Sequence, residues 1–199
     1  MTQITKHSSV KGSLQSQANK LNITVAQAFL NAEIVVLMDC SASMETDDSL
    51  TTDYGQGGLA RSTRYKKACN QLAKLQSENP GKVCLISFSS GQEFSPSGIA
   101  RWPNGTTDIA GALKFIKPVD GLDCKLVLIS DGEPDNDQAT MDQARTFKSK
   151  LHTIYIGPEN GSGADFLKRL SAVTGGQFSN NGVAGIGNLS NTVAGYLAA

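Results

Sequence analysis

The chain has 199 residues, 39% of them hydrophobic and 18% charged, proportions that fit one globular domain with a sizeable core. Lys and Arg number 18, as do Asp and Glu, so the formal net charge is zero. That balance, with no basic run, argues against a nucleic-acid or anionic-membrane binder. The pairs Lys66-Lys67 and Lys168-Arg169 read as solvated helix faces.

The first twenty residues, MTQITKHSSVKGSLQSQANK, are polar and do not resemble a signal peptide, and no apolar stretch approaches a membrane span. Cys40, Cys69, Cys84 and Cys124 are widely spaced, with no CxxC pair, and read as small buried thiols. The expectation is a cytoplasmic protein with reduced cysteines.

Residues 1–23 have weak periodicity and read as a loose arm or a poorly amphipathic helix. Thr24-Val25-Ala26-Gln27 has the capping-box pattern and opens a short helix to about Asn31. The expected division is an N-terminal arm and short helix over 1–32, then a domain over 33–199. EIVVLMD (33–39) is a continuous apolar run, the form of a strand buried on both faces. Residues 62–79 carry Tyr65, Ala68, Cys69, Leu72 and Leu75 at helical spacing, and Pro80-Gly81 ends that helix. KVCLISFSS (82–90) is a second buried strand, and EFSPSGIARW (93–102) reads as an edge hairpin of two short extended pieces. A helix over 107–117, a strand over 124–130, a helix over 137–150 and a strand over 151–157 follow. A helix over 164–176 closes on a Gly pair, GQFSN is a short last strand, and 188–199 is the final helix. This alternation predicts an α/β fold: a doubly wound, mostly parallel central sheet with one antiparallel edge strand and helices on both faces. Ligands then gather at the carboxyl ends of the strands, near the point where strand order reverses.

That edge carries Asp39, Ser41 and Ser43 after the first strand and Ser130-Asp131-Gly132 after the third. Alternate side chains of an extended segment share a side, so Asp39, Ser41 and Ser43 can converge while Cys40 and Ala42 point away. Taken singly, each is an ordinary turn or capping residue. Together they form a hard-oxygen set suited to Mg²⁺ or Mn²⁺, which take octahedral oxygen ligands at roughly 2.0–2.1 Å. Thr107, beside Gly105, opens the next helix at the same edge.

DCSAS (39–43), Thr107 in GTTDIAGAL and Asp131 in LISDG are similar to the metal-ion-dependent adhesion site of the von Willebrand factor A domain, a Rossmann-like fold. The resemblance covers roughly 33–199 and includes the strand–helix order. It implies that Ser41 and Ser43 ligate a divalent ion through their hydroxyls. Thr107 would bind directly or through water, and Asp39 and Asp131 would hold the hydroxyls in place. The implied metal site is Asp39, Ser41, Ser43, Thr107 and Asp131, the implied ion Mg²⁺ with Mn²⁺ or Ca²⁺ as alternatives. The implied partner is a protein supplying an Asp or Glu carboxylate, in settings that include bacterial or phage assemblies and complexes with ATPases. Thr106 stands where the family often has glycine, which leaves open whether Thr106 or Thr107 ligates. Residues 44–62 form a longer loop than usual, with Glu45, Asp47, Asp48 and Asp53, readable as a solvated acidic segment or as a partner-selecting lid.

Enzyme readings fare less well. An apolar strand ending in Asp also opens the haloacid-dehalogenase-type phosphotransferases, but these need a second Asp where Ser41 stands, and a serine hydroxyl does not trade protons near neutral pH as a carboxylate does. A Ser–His–Asp hydrolase lacks a GxSxG elbow, and its only histidines are His7 and His152, the latter at the opening of a strand. GIGNLS (185–190) lacks the third glycine of a dinucleotide loop and follows the last strand rather than the first. The reading is a non-enzymatic, metal-dependent interaction module, with a metal-assisted phosphohydrolase or a metal-free structural domain as its rivals.

Overall fold

The computed structural model describes residues 9–47, 49–51, 60–159 and 161–198. Continuous apolar runs form its centre. Strands β1 (Ile34–Asp39), β4 (Val83–Phe88) and β6 (Lys125–Ser130) are buried almost throughout. With β5 (Gln92–Phe94), β7 (Leu151–Tyr155) and β8 (Phe178–Asn180) they make a six-stranded sheet in the order β5-β4-β1-β6-β7-β8. All neighbours are parallel except β5, which runs antiparallel to β4 at the edge. A separate antiparallel pair, β2 (Ser49–Thr51) with β3 (Ala60–Ser62), lies in the long segment after β1. Of the acidic residues in that segment, Asp48 and Asp53 fall outside the described residues, while Glu45 and Asp47 are exposed.

Side chains alternate across β1, and this period of two sorts the core into two layers. Val35 and Leu37 face one layer, with helices α1 (Leu14–Leu21), α2 (Val25–Phe29), α4 (Ile109–Ile116) and α6 (Gly163–Val173) supplying Leu14, Ala28, Leu113 and Phe166. Ile34, Val36 and Met38 face the other, covered by α3 (Arg64–Glu78) and α7 (Leu189–Ala198) through Leu72, Leu75 and Val193. Helix α5 (Asp137–Arg145) completes the first layer with Ala144. Among the described residues no helix is long and apolar enough to cross a membrane.

Residues 9–33, before β1, fold onto this core. Ser13 caps α1, and Thr24 and Gln27 form the expected reciprocal capping box at α2. Gly12 has φ +85, and a Cβ there would lie 1.9 Å from the Gln76 carbonyl oxygen, so only glycine lets this turn reach α3.

Two elements differ from expectation. Residues 99–102 form no strand, because the chain turns at Gly98 (φ +76), whose N–H reaches the Ser95 carbonyl at 3.0 Å. The Arg101 N–H then bonds the Ser87 hydroxyl instead of a strand partner. Helix α5 stops at Arg145 rather than near Lys150, because the Asp120 carboxylate takes the backbone N–H groups of Lys148 and Ser149 at 2.8–3.1 Å.

Connections from β1 to β4 run to one side of β1, and the next crossover to β6 runs to the other. The reversal opens the crevice at the carboxyl ends of β1, β4 and β6.

Candidate metal centre

Five polar segments meet at that crevice. The Asp39 side chain ends β1 with no exposure to solvent, and both its oxygens are engaged. Oδ1 accepts the Ser41 backbone N–H at 2.7 Å, and Oδ2 accepts the Ser130 hydroxyl from the end of β6 at 2.5 Å. Parallel register explains the second contact, since Met38 pairs with Ile129 and the next residues on the two strands come abreast. Beyond Ser41 the chain does not stay extended but tightens into a 3₁₀ turn over Ala42–Glu45. That turn still brings the hydroxyls of Ser41 and Ser43 to 3.0 Å, with Cys40 buried in the core behind them. Ser43 then donates to Asp131 Oδ1 at 2.8 Å. Ser41, Ser43 and Asp131 thus form a continuous chain of oxygen atoms.

The loop before α4 runs along the same turn. The Asn104 N–H bonds the Cys40 carbonyl at 2.9 Å, and the Ala42 N–H bonds the Gly105 carbonyl at 3.1 Å. Gly105 has φ +72, and a Cβ on it would sit 2.3 Å from Ser90 Oγ, so glycine is what allows this approach. The next two residues diverge in role. The Thr106 hydroxyl is committed to Asp135 and to Ser90. Thr107 is buried and exchanges backbone hydrogen bonds with Asp135, its N–H reaching Oδ1 at 3.0 Å and its carbonyl accepting the Asp135 N–H at 3.1 Å. Among the described residues no hydrogen bond reaches the Thr107 hydroxyl. Trp102, at the start of this loop, is 68% exposed and stands edge-on to Tyr65 with ring centroids 5.7 Å apart.

Three members of the site escaped the sequence reading. Ser130 was visible only as part of a polar strand end, and its role as anchor of Asp39 depends on register. Asp135 organises the threonine loop from 28 residues away in sequence. Arg64, the first residue of α3, pairs with Asp131 Oδ2 through Nη1 at 2.6 Å, with side chains only 8% and 0% exposed. In sequence it sits in a run, STRYKK, whose cations look uniformly solvated. The one available signal was its place at a helix N-terminus, where the macrodipole disfavours a cation.

Burial pushes the Asp39 carboxyl up to about 7; the Ser130 hydrogen bond pulls the other way, and the negative charge of Asp131 pushes it further up. A buried carboxylate of this kind gains from a nearby cation. The local donor set, the paired Ser41 and Ser43 hydroxyls with Asp131 on Ser43 and Asp39 on the Ser41 amide, fits a hard divalent ion. Among the described residues no group of three His, Cys, Asp or Glu is placed to hold a metal ion, so the hydroxyls would have to supply ligands. His152 lies at the opposite end of the sheet, at the start of β7, stacked on Tyr196 with ring centroids 4.3 Å apart.

An α/β sheet of this order with an Asp-x-Ser-x-Ser turn at its switch point defines the von Willebrand factor A fold, and solved structures agree. The chain is similar to the PilB minor pilin from Streptococcus sanguinis, with TM-score 0.57 and 15% identity over 84% of this chain and 61% of that one. It is also similar to a von Willebrand factor type A protein from Catenulispora acidiphila (TM-score 0.55, 14% identity, 81% of this chain and 42% of that one). Proximal thread matrix protein 1 from the mussel byssus matches with TM-score 0.51 and 14% identity over 89% of this chain and 50% of that one. This chain therefore has the von Willebrand factor A fold, and spans between about two fifths and three fifths of the length of these proteins. No family model matches the sequence, and no curated protein does.

Proposed function

We propose that the chain is a non-enzymatic protein-interaction module that holds Mg²⁺, with Mn²⁺ or Ca²⁺ as substitutes, at the carboxyl edge of its sheet. Ser41, Ser43 and Thr107 hold the ion through hydroxyls, and Asp39 and Asp131 orient those hydroxyls from behind. The observation that carries this reading is the chain of oxygen atoms from Ser41 through Ser43 to Asp131. Thr107 is preferred to Thr106 because the Thr106 hydroxyl is already spent on Asp135 and Ser90. When bound, the ion supplies an open position for an Asp or Glu carboxylate of a protein partner.

Asp39 is a poor nucleophile for phosphoryl transfer. It is fully buried, with one oxygen on the Ser41 amide and the other on Ser130. The residue two places on is a serine that cannot act as acid and base. A second reading, a structural domain that works without metal, is favoured by the Arg64–Asp131 ion pair, which already gives Asp131 a cation.

Calorimetric titration with Mg²⁺ and Mn²⁺ separates these readings. The module reading expects saturable binding that Ser43→Ala and Asp131→Asn abolish. It also expects a Glu-bearing peptide to bind the metal-loaded protein more tightly than its Gln counterpart. Absence of any ion binding by the wild type would sink the metal-dependent reading, and metal-dependent turnover of phosphate esters would revive the enzyme.

A further inference from the structure

Arg64 gives the site a feature that the oxygen ligands do not explain. We propose that Arg64 is a built-in counter-cation that holds Asp131 in the metal-free protein and opposes a divalent ion seated beside that carboxylate, so that it sets how weakly the ion is held. The inference rests on the metal-binding reading above.

Four observations carry it. The Arg64 guanidinium lies 2.6 Å from Asp131 Oδ2, while the other oxygen of the same carboxylate accepts the Ser43 hydroxyl at 2.8 Å. The two claims on Asp131 therefore meet on one carboxyl group, and an ion drawn to Ser43 and Asp131 comes close to a fixed positive charge. Both side chains are nearly excluded from solvent, so water screens that repulsion poorly. The helix cannot carry Arg64 away, because Ala68, Leu72 and Leu75 anchor α3 in the core with at most 1% exposure. Finally, a guanidinium keeps its charge at any pH the fold survives, so the opposition cannot be relieved by deprotonation.

The placement also explains why a cation occupies the first position of a helix, against its dipole. Asp131 compensates Arg64, and Arg64 neutralises Asp131. A site in that state stays folded without metal and takes up the ion only when its concentration is high enough to outbid the guanidinium.

Mg²⁺ titration by calorimetry of the full chain, as wild type, Arg64→Gln and Arg64→Lys, tests this. Arg64→Gln is expected to bind Mg²⁺ at least tenfold more tightly than the wild type, and Arg64→Lys to stay close to the wild type because it keeps a cation. Melting in EDTA gives a second readout: Arg64→Gln melts below the wild type without metal and gains more from Mg²⁺. Arg64→Met, which keeps the packed stem without the charge, reads the same gain in affinity if the Gln variant does not fold. Equal Mg²⁺ affinity across wild type and neutral variants overturns the role of Arg64 and leaves the metal site standing. Binding by the neutral variants alone supports the role of Arg64 and overturns metal dependence in the native protein. Binding by none of them overturns both.

Discussion

Asp131 and Asp120 are both buried carboxylates paired with a cation, but their remaining partners differ in kind. Asp120 has a side chain only 5% exposed and joins Lys117 at 2.7 Å, on the loop leading into β6. Its other donors are the backbone N–H groups of Lys148 and Ser149, on the loop leading into β7. Burial alone would raise its pKa, yet the Lys117 and backbone hydrogen bonds outweigh that and hold it at about 2. Asp131, at the other end of the sheet, is served by side chains, the Ser43 hydroxyl and the Arg64 guanidinium. Backbone donors cannot leave without unfolding their loop, whereas side-chain donors can be traded for an ion. One cluster is a staple and the other, on the metal-binding proposal, an exchangeable seat.

The sharpest way to break this contrast is to empty the seat. Asp131→Ala takes the carboxylate from a buried guanidinium, and is expected to cost about 3–5 kcal/mol in urea denaturation without metal. Pairing Asp131→Leu with Arg64→Met removes both charges and is expected to recover most of that loss; a double variant as unstable as the single one would show that the pair is not the cause.

Asp120 should be felt through pH. Its folded pKa lies below the unfolded value of 3.8, so its contribution is present above about pH 4 and lost as pH falls through about 2. Asp120→Asn is expected to cost about 1–2 kcal/mol at neutral pH and almost nothing well below pH 2, measured as the difference between the two denaturation curves. A difference that persists at low pH would mean that packing, not charge, does the stapling.

Ser43→Ala removes one neutral donor from Asp131 while Arg64 remains, and is expected to cost about 1 kcal/mol in EDTA. Ser149 accepts the Gly121 N–H at 2.8 Å on the Asp120 staple, and Ser149→Ala is expected to cost about 0.5 kcal/mol, since water can replace an exposed partner. A larger loss at Ser149 than at Ser43 would reverse the ranking of the two ends.

Much of the fold could be read from patterns that lie within one segment. The run IVVLM announces a strand buried on both faces, and Thr24 with Gln27 announces a capped helix, because each rests on local physics. DCSAS was equally legible, since its spacing is carried by five consecutive residues. Contacts that depend on how segments meet were not. Arg64 is separated from Asp131 by 67 residues and Asp135 from Thr107 by 28, and nothing in either neighbourhood names the partner. The end of α5 was misplaced for the same reason. Residues 146–150 carry no helix breaker, and only the distant Asp120 carboxylate, by claiming two of their amides, makes leaving the helix favourable.

Trp102 is the only tryptophan in the chain, and it stands two residues before Asn104, whose amide is tied to the Cys40 carbonyl inside the Asp-x-Ser-x-Ser turn. Its indole faces water on one side and the Tyr65 ring on the other. The protein therefore carries its own optical probe: an unlabelled sample excited at the indole band reports, from a single position, movement of the loop that leads into the crevice.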